Sequence, residues 1–222
     1  MGQLFLVRHA QASLGEDNYD QLSPLGMRQS LRLGEYWREL GLTFDTVLCG
    51  TLQRHAQTLE GVRQGLQQPL PAQKIAGLNE YDAEAVIHAV APDPRPRPTT
   101  PEAYRTHFRL LREGLHQWMQ GKAQPQGMVT WHEFVQGIQS ALTQAHQSHA
   151  ERVLVVSSGG PISVALGQIM GMSAEASIEL NLQMRNTSVS ELRTSANGFR
   201  VVSFNTLPHL APAEFADWIT YA

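Results

Sequence analysis

The sequence predicts an α/β fold, arranged as a three-layer α/β/α sandwich with a mostly parallel central sheet, helices on both faces and a helical cap insertion. Three observations predict it. Continuous apolar runs at residues 3–7 (QLFLV), 46–49 (TVLC) and 153–156 (VLVV) read as strands covered on both faces, the pattern of a parallel sheet. Each run ends in a charged, polar or small-residue turn and then passes into a segment with helical character, the order of a parallel α/β unit. The 222 residues carry 42% hydrophobic content, enough for one core, so a single domain spanning 1–222 with an insertion is expected.

The first strand delivers Arg8 and His9 at its C-terminal end, the edge at which open α/β sheets bind ligands. Ser23 and Pro24 supply an N-cap and a first-turn proline for a helix to about residue 40. After the second strand, Gly50 permits a tight turn into a helix carrying Arg54 near its start, with the adjacent His55 expected to point elsewhere. Residues 74–76 form a weaker strand candidate, and 78–82 (LNEYD) read as a loop crossing the sheet edge.

Residues 92–101 (PDPRPRPTTP) hold five prolines in ten positions, which exclude a helix interior or a central strand. Arg95 and Arg97 there read as solvated charges. Helices from 101 to 118 and from 131 to 149 follow, and together they are expected to form a cap inserted at about 81–150. The third strand ends in Ser157-Ser158-Gly159-Gly160 ahead of a helix at 161–170. Two last strand-like runs, 187–192 and 199–204, flank a turn at 195–198 that includes Asn197.

Formal net charge is −3 and the sequence pI is near 6.3, so no whole-chain positive field is available to hold a nucleic acid or an anionic membrane. Phosphate binding must therefore be local. The single cysteine, Cys49, has no internal disulfide partner, and no run approaches the roughly 18 apolar residues of a membrane span. The first residues lack the profile of a signal peptide, which gives a cytoplasmic expectation. His132 lacks the second histidine of the zinc-helix signature, since position 136 is Gln136; no metal or other cofactor is expected.

Arg8-His9 alone is a weak signal. It gains weight from Arg54, Glu80 and the Ser158-Gly159 turn, each placed after a predicted strand. In order, LVRHAQAS (6–13), TLQRHAQT (51–58), LNE (78–80) and VVSSGGPI (155–162) resemble the histidine phosphatase superfamily, the phosphoglycerate mutase-like fold. RNTS (185–188) and FNTLPHL (204–210) are similar to its C-terminal segments. The resemblance implies that His9 attacks a phosphomonoester and becomes transiently phosphorylated, while Arg8 and Arg54 grip the equatorial oxygens. It makes Glu80 the proton donor, with Asp82 as an alternative, and gives Asn186 a part in orienting the site.

Charge chemistry supports these roles independently. A phosphoryl transition state spreads negative charge over three oxygens, and planar guanidinium forks match it. A neutral imidazole is a competent nucleophile near pH 7 once its other nitrogen is held. A proton donor needs burial to raise its pKa against two nearby arginines, and the sequence leaves that balance open.

One position departs from the family. Where the resemblance calls for a second histidine, this chain has Ser158, whose hydroxyl, with the Gly159 and Gly160 amides at a helix N-terminus, could still serve an anion. Loss of one oxyanion donor typically costs about 100- to 1,000-fold in rate, which reduces catalysis without abolishing it. The expected function is thus a metal-independent phosphatase acting on a small phosphorylated molecule, with reduced activity. A non-catalytic phosphate-binding or scaffold protein is the alternative, and a mutase-type phosphotransferase ranks third.

Overall fold

The computed structural model describes residues 2–13, 20–94, 96–196 and 198–221. Arg95 and Asn197, read above as a surface charge and a turn residue, lie outside them. The described residues form one six-stranded sheet in the order β3-β2-β4-β1-β5-β6. Its strands are β1 (Gln3–Arg8), β2 (Thr46–Cys49), β3 (Gln73–Lys74), β4 (Arg152–Ser157), β5 (Val189–Ser195) and β6 (Gly198–Thr206). Only β5 runs against the others, pairing antiparallel with both β1 and β6.

The unbroken apolar runs work because each strand feeds two cores. Leu4 and Leu6 of β1, Leu48 of β2, and Val153 and Val155 of β4 face one side. Phe5, Val7, Val47, Cys49, Leu154 and Val156 face the other. This is the period-two alternation of a sheet covered on both faces. Burying each such large aliphatic chain is worth roughly 1.5–3 kcal/mol, and it fixes the register, since a one-residue slip would exchange the two sets.

The second face is covered by α1 (Pro24–Glu39) and α2 (Gln53–Leu66). Ser23 caps α1 as predicted, its Oγ accepting from the Gly26 amide at 3.0 Å. The first face is covered by α5 (Trp131–Gln147) and α6 (Gly159–Met170). Here the structure differs from expectation. Phe134, Ile138, Ala141 and Ala145 of α5 share the core of β1, β2 and β4, so α5 is a layer helix rather than part of a cap. Its apolar stripe would suit either place, and only the uncovered sheet face decides.

The helices α3 (Ala83–Val90) and α4 (Pro101–Met119) pack on each other and through Val86, Leu111, Leu115 and Trp118 into that same core. Neither α3 nor α7 (Ala174–Leu182) was legible beforehand. α7 buries only Ser177 and Ile178, too little for an apolar stripe. Helix α6 begins two residues earlier than expected, with Ser158 at its N-cap, so Gly159 and Gly160 are its first turn. No helix among the described residues is long and apolar enough to cross a membrane.

Candidate active site

Parallel pairing of β1 with β4 sets Arg8 beside Ser157, which brings His9 and Ser158 out together at the C-terminal edge of the sheet. The backbone around His9 is held from four directions. Its amide donates to Ser157 O at 2.8 Å, and its carbonyl accepts from Asn186 Nδ2 at 3.2 Å and the Thr187 amide at 3.3 Å. The next amide, of Ala10, donates to Thr58 Oγ1 at 3.0 Å. Asn186 thus positions the His9 main chain, and its own Oδ1 accepts from Thr220 Oγ1 at 2.9 Å. Thr187 adopts a left-handed φ of 55°, secured by a 2.9 Å contact between its hydroxyl and His209 Nε2.

His9 Nδ1 lies 2.8 Å from Ala10 O. A carbonyl can only accept, so Nδ1 carries the hydrogen and Nε2 keeps its lone pair for attack. Burial, followed by the charges of Arg8 and Arg54, holds the imidazole pKa well below its ordinary value. The His9 ring is neutral at pH 7.

Arg8 Nη1 donates to the Met184 carbonyl and, at 2.5 Å, to the Tyr221 carbonyl, which fixes the guanidinium against the C-terminal segment. Arg54 Nη1 donates to Asp20 Oδ1 at 2.7 Å. Asp20 does a second job: its carboxylate accepts from the Gln53 amide at 2.8 Å, capping α2, whose N-cap position, Leu52, has no capping side chain. Nothing in the spacing of the chain reveals this residue.

Glu80 is partly buried, its Oε2 accepting from the Gly160 amide at 3.1 Å and its Oε1 from the Tyr81 amide at 3.2 Å. Burial raises its pKa and outweighs those two hydrogen bonds and the pull of Arg54 and Arg8. Both arginines act on both Glu80 and His9, so the four groups share one electrostatic environment. Asp82 is exposed and occupied elsewhere, its Oδ1 accepting from the Ala85 amide at 3.0 Å as the N-cap of α3.

Gly160 makes room for Glu80. A β-carbon at that position would overlap Glu80 Oε1 and lie 2.6 Å from Tyr81 Cε1. Gly160→Ala should displace both the Glu80 carboxylate and the Tyr81 ring, which packs edge-on against Trp118 and Phe134. The expected outcome is a kcat lowered about 10- to 100-fold, the scale of misplacing one group by about 1 Å, together with a lowered Tm, measured by steady-state kinetics and thermal unfolding.

Ser158 is fully buried, and its Oγ lies 2.7 Å from His55 Nε2. His55 therefore points into the site, correcting the expectation that it faces elsewhere. Its ring centre is 5.7 Å from that of His9. A sequence signal existed: 55, 59, 62 and 66 share one helical stripe, and Leu59, Val62 and Leu66 are all buried.

A mostly parallel sheet sandwiched by helices, with a buried neutral histidine, two arginines and a carboxyl gathered at one strand edge, defines an α/β protein with a charged site at the C-terminal edge of its sheet. Solved structures share this architecture. Phosphoserine phosphatase from Entamoeba histolytica superposes with a TM-score of 0.64 at 18% identity, over 95% of this chain and 100% of that one. YhfR from Bacillus stearothermophilus gives 0.68 at 18%, over 94% and 99%, and phosphoglycerate mutase from Bacillus anthracis gives 0.62 at 18%, over 94% and 94%. At such identities the likeness is one of fold. The 2,3-bisphosphoglycerate-dependent phosphoglycerate mutase 1 of Nitrosomonas europaea is 36% identical over 63 residues, which span 26% of this chain and 27% of that protein. Residues 4–207 match the model of the histidine phosphatase superfamily (branch 1), and the chain belongs to that family.

Proposed function

We propose that the protein is a phosphatase that hydrolyses a small phosphomonoester without a metal ion, through a phosphohistidine on His9. The observation that carries this reading is the pairing of a neutral His9, Nε2 free for attack, with a Glu80 whose pKa burial has raised. A protein that only held phosphate would gain nothing from a proton donor.

In the first step the His9 Nε2 lone pair attacks phosphorus, the bond from phosphorus to the leaving oxygen breaks, and Glu80 supplies that oxygen with a proton. In the second, Glu80 takes a proton from water as the water oxygen attacks phosphorus. The P–N bond breaks, its electrons return to Nε2, and inorganic phosphate departs. Arg8 and Arg54 balance charge on the equatorial oxygens in both steps, assisted by the Gly159 amide at the α6 N-terminus.

The test is a quench in alkaline detergent after rapid mixing with a radiolabelled phosphomonoester. The expected result is a base-stable, acid-labile label that maps to His9, with turnover unaffected by EDTA. Binding of phosphate without any label or turnover would replace this reading with a non-catalytic phosphate binder.

A further inference from the structure

The mechanism above leaves one buried titratable group beside the nucleophile unused. His55 has no exposed surface, and its ring is 5.7 Å from that of His9. Its Nε2 is 2.7 Å from Ser158 Oγ, and Nδ1 has no partner among the described residues. Space is made for this ring: a β-carbon on Gly50 would overlap Nδ1 and lie 2.7 Å from Cε1. A histidine serving only as core filler would not need an unpaired nitrogen against a glycine.

The tautomer follows from this geometry. A neutral imidazole holds one hydrogen. Placing it on Nδ1 would bury an orphaned N–H, whereas placing it on Nε2 leaves only a bare lone pair there and makes a bond to Ser158. With His55 donating, the Ser158 hydroxyl keeps its own hydrogen, for which the described residues offer no acceptor. The β1–β4 register ends at Arg8 and Ser157, so His9 and Ser158 are the next residues on the two chains, and the His55 ring that contacts Ser158 Oγ lies 5.7 Å from the His9 ring, which places that hydrogen beside a group held on Nε2 of His9.

We propose that His55 and Ser158 act as one donor pair in phosphoryl transfer: His55 Nε2–H donates to Ser158 Oγ, and the Ser158 hydroxyl donates to an oxygen of the phosphoryl group on His9. His55 is a positioning residue and Ser158 the one that touches the phosphoryl group. The imidazole that the family resemblance places at position 158 is then represented by two residues on two elements. Burial, with Arg54 second, pushes the His55 pKa down to about 3, which keeps the ring neutral and the relay direction fixed at working pH.

This rests on the phosphohistidine reading, and the test separates the two. Ser158→Ala and His55→Ala are each expected to lower kcat about 100-fold while KM changes less than about threefold, the scale of losing one oxyanion donor. The double variant should be no slower than the slower single one, because both remove the same hydrogen bond to substrate. His55→Gln, whose amide nitrogen reaches about as far as Nε2, should recover part of the rate and guards against a folding defect in His55→Ala. Ser158→His alone should lose activity, since the new ring meets His55, whereas Ser158→His with His55→Ala should regain it.

Losses that multiply in the double variant, or a lowered Tm with unchanged kcat in His55→Ala, would overturn the pair while the label on His9 persists. An acid-stable phosphoserine at position 158 would overturn both readings.

Discussion

His9→Ala is expected to lower kcat by about 10,000-fold or more, the scale seen when a covalent nucleophile is deleted. Binding should survive. Arg8 is anchored by the Met184 and Tyr221 carbonyls and Arg54 by Asp20, and none of these contacts uses the His9 ring. Inorganic phosphate should therefore inhibit or bind the variant within several-fold of the parent. Burial, with the two guanidiniums second, already holds His9 neutral, so the parent's kcat/KM should show no acid limb near pH 6.5 from this residue. A variant retaining turnover within tenfold would remove His9 from the nucleophile's place, whereas a parent losing activity through pH 6.5 in step with His9 protonation would overturn only the lowered pKa of its ring.

The parts of the fold that could be read beforehand are those in which one local pattern has one outcome. Residues 3–7 and 153–156 are short β-branched and leucine-rich runs bounded by turn signals, which read as strands between two apolar layers, and the structure puts Leu4 and Phe5 into different cores. Ser23-Pro24 could only begin a helix. Placement was less legible. The stripe on α5 at 134, 138, 141 and 145 is equally good against a sheet or a second cap helix, and tertiary competition for the open sheet face settled it.

The site divides in the same way. Arg8, His9 and Glu80 follow strand or loop ends and declare themselves in order along the chain. His55 was missed because Arg54, its neighbour, already explained the segment, although both side chains turn inward at the start of α2. Asp20 was missed for a different reason: its partner lies 34 residues further on and its role as a cap for α2 exists only after folding. Whether burial or the arginines governs Glu80 was undecidable without the Gly160 and Tyr81 amides and the depth of the carboxyl, and in the structure burial prevails.

That balance gives the second large effect. Glu80→Gln should lower kcat about 100- to 10,000-fold with an alkyl phosphate, whose leaving oxygen needs a proton, and much less with p-nitrophenyl phosphate, whose leaving group does not. Because the protonated acid is the working form in the first step, the parent rate on alkyl phosphates should fall as pH rises through the raised Glu80 pKa, and the glutamine variant should lose that limb. Stability should fall over the same pH range as activity. The folded-state pKa lies above the unfolded one, so the contribution of Glu80 is fully present below the unfolded value of about 4.3 and is lost as pH rises through the folded value. Glutamine cannot ionise and escapes that loss, although its single oxygen forfeits one of the two amide bonds from Gly160 and Tyr81. The Tm difference, variant minus parent, should therefore grow between pH 4 and pH 8. A constant or shrinking difference would mean that Glu80 is ionised in the folded protein throughout that range, and a carboxylate in that state has no proton to give the leaving group.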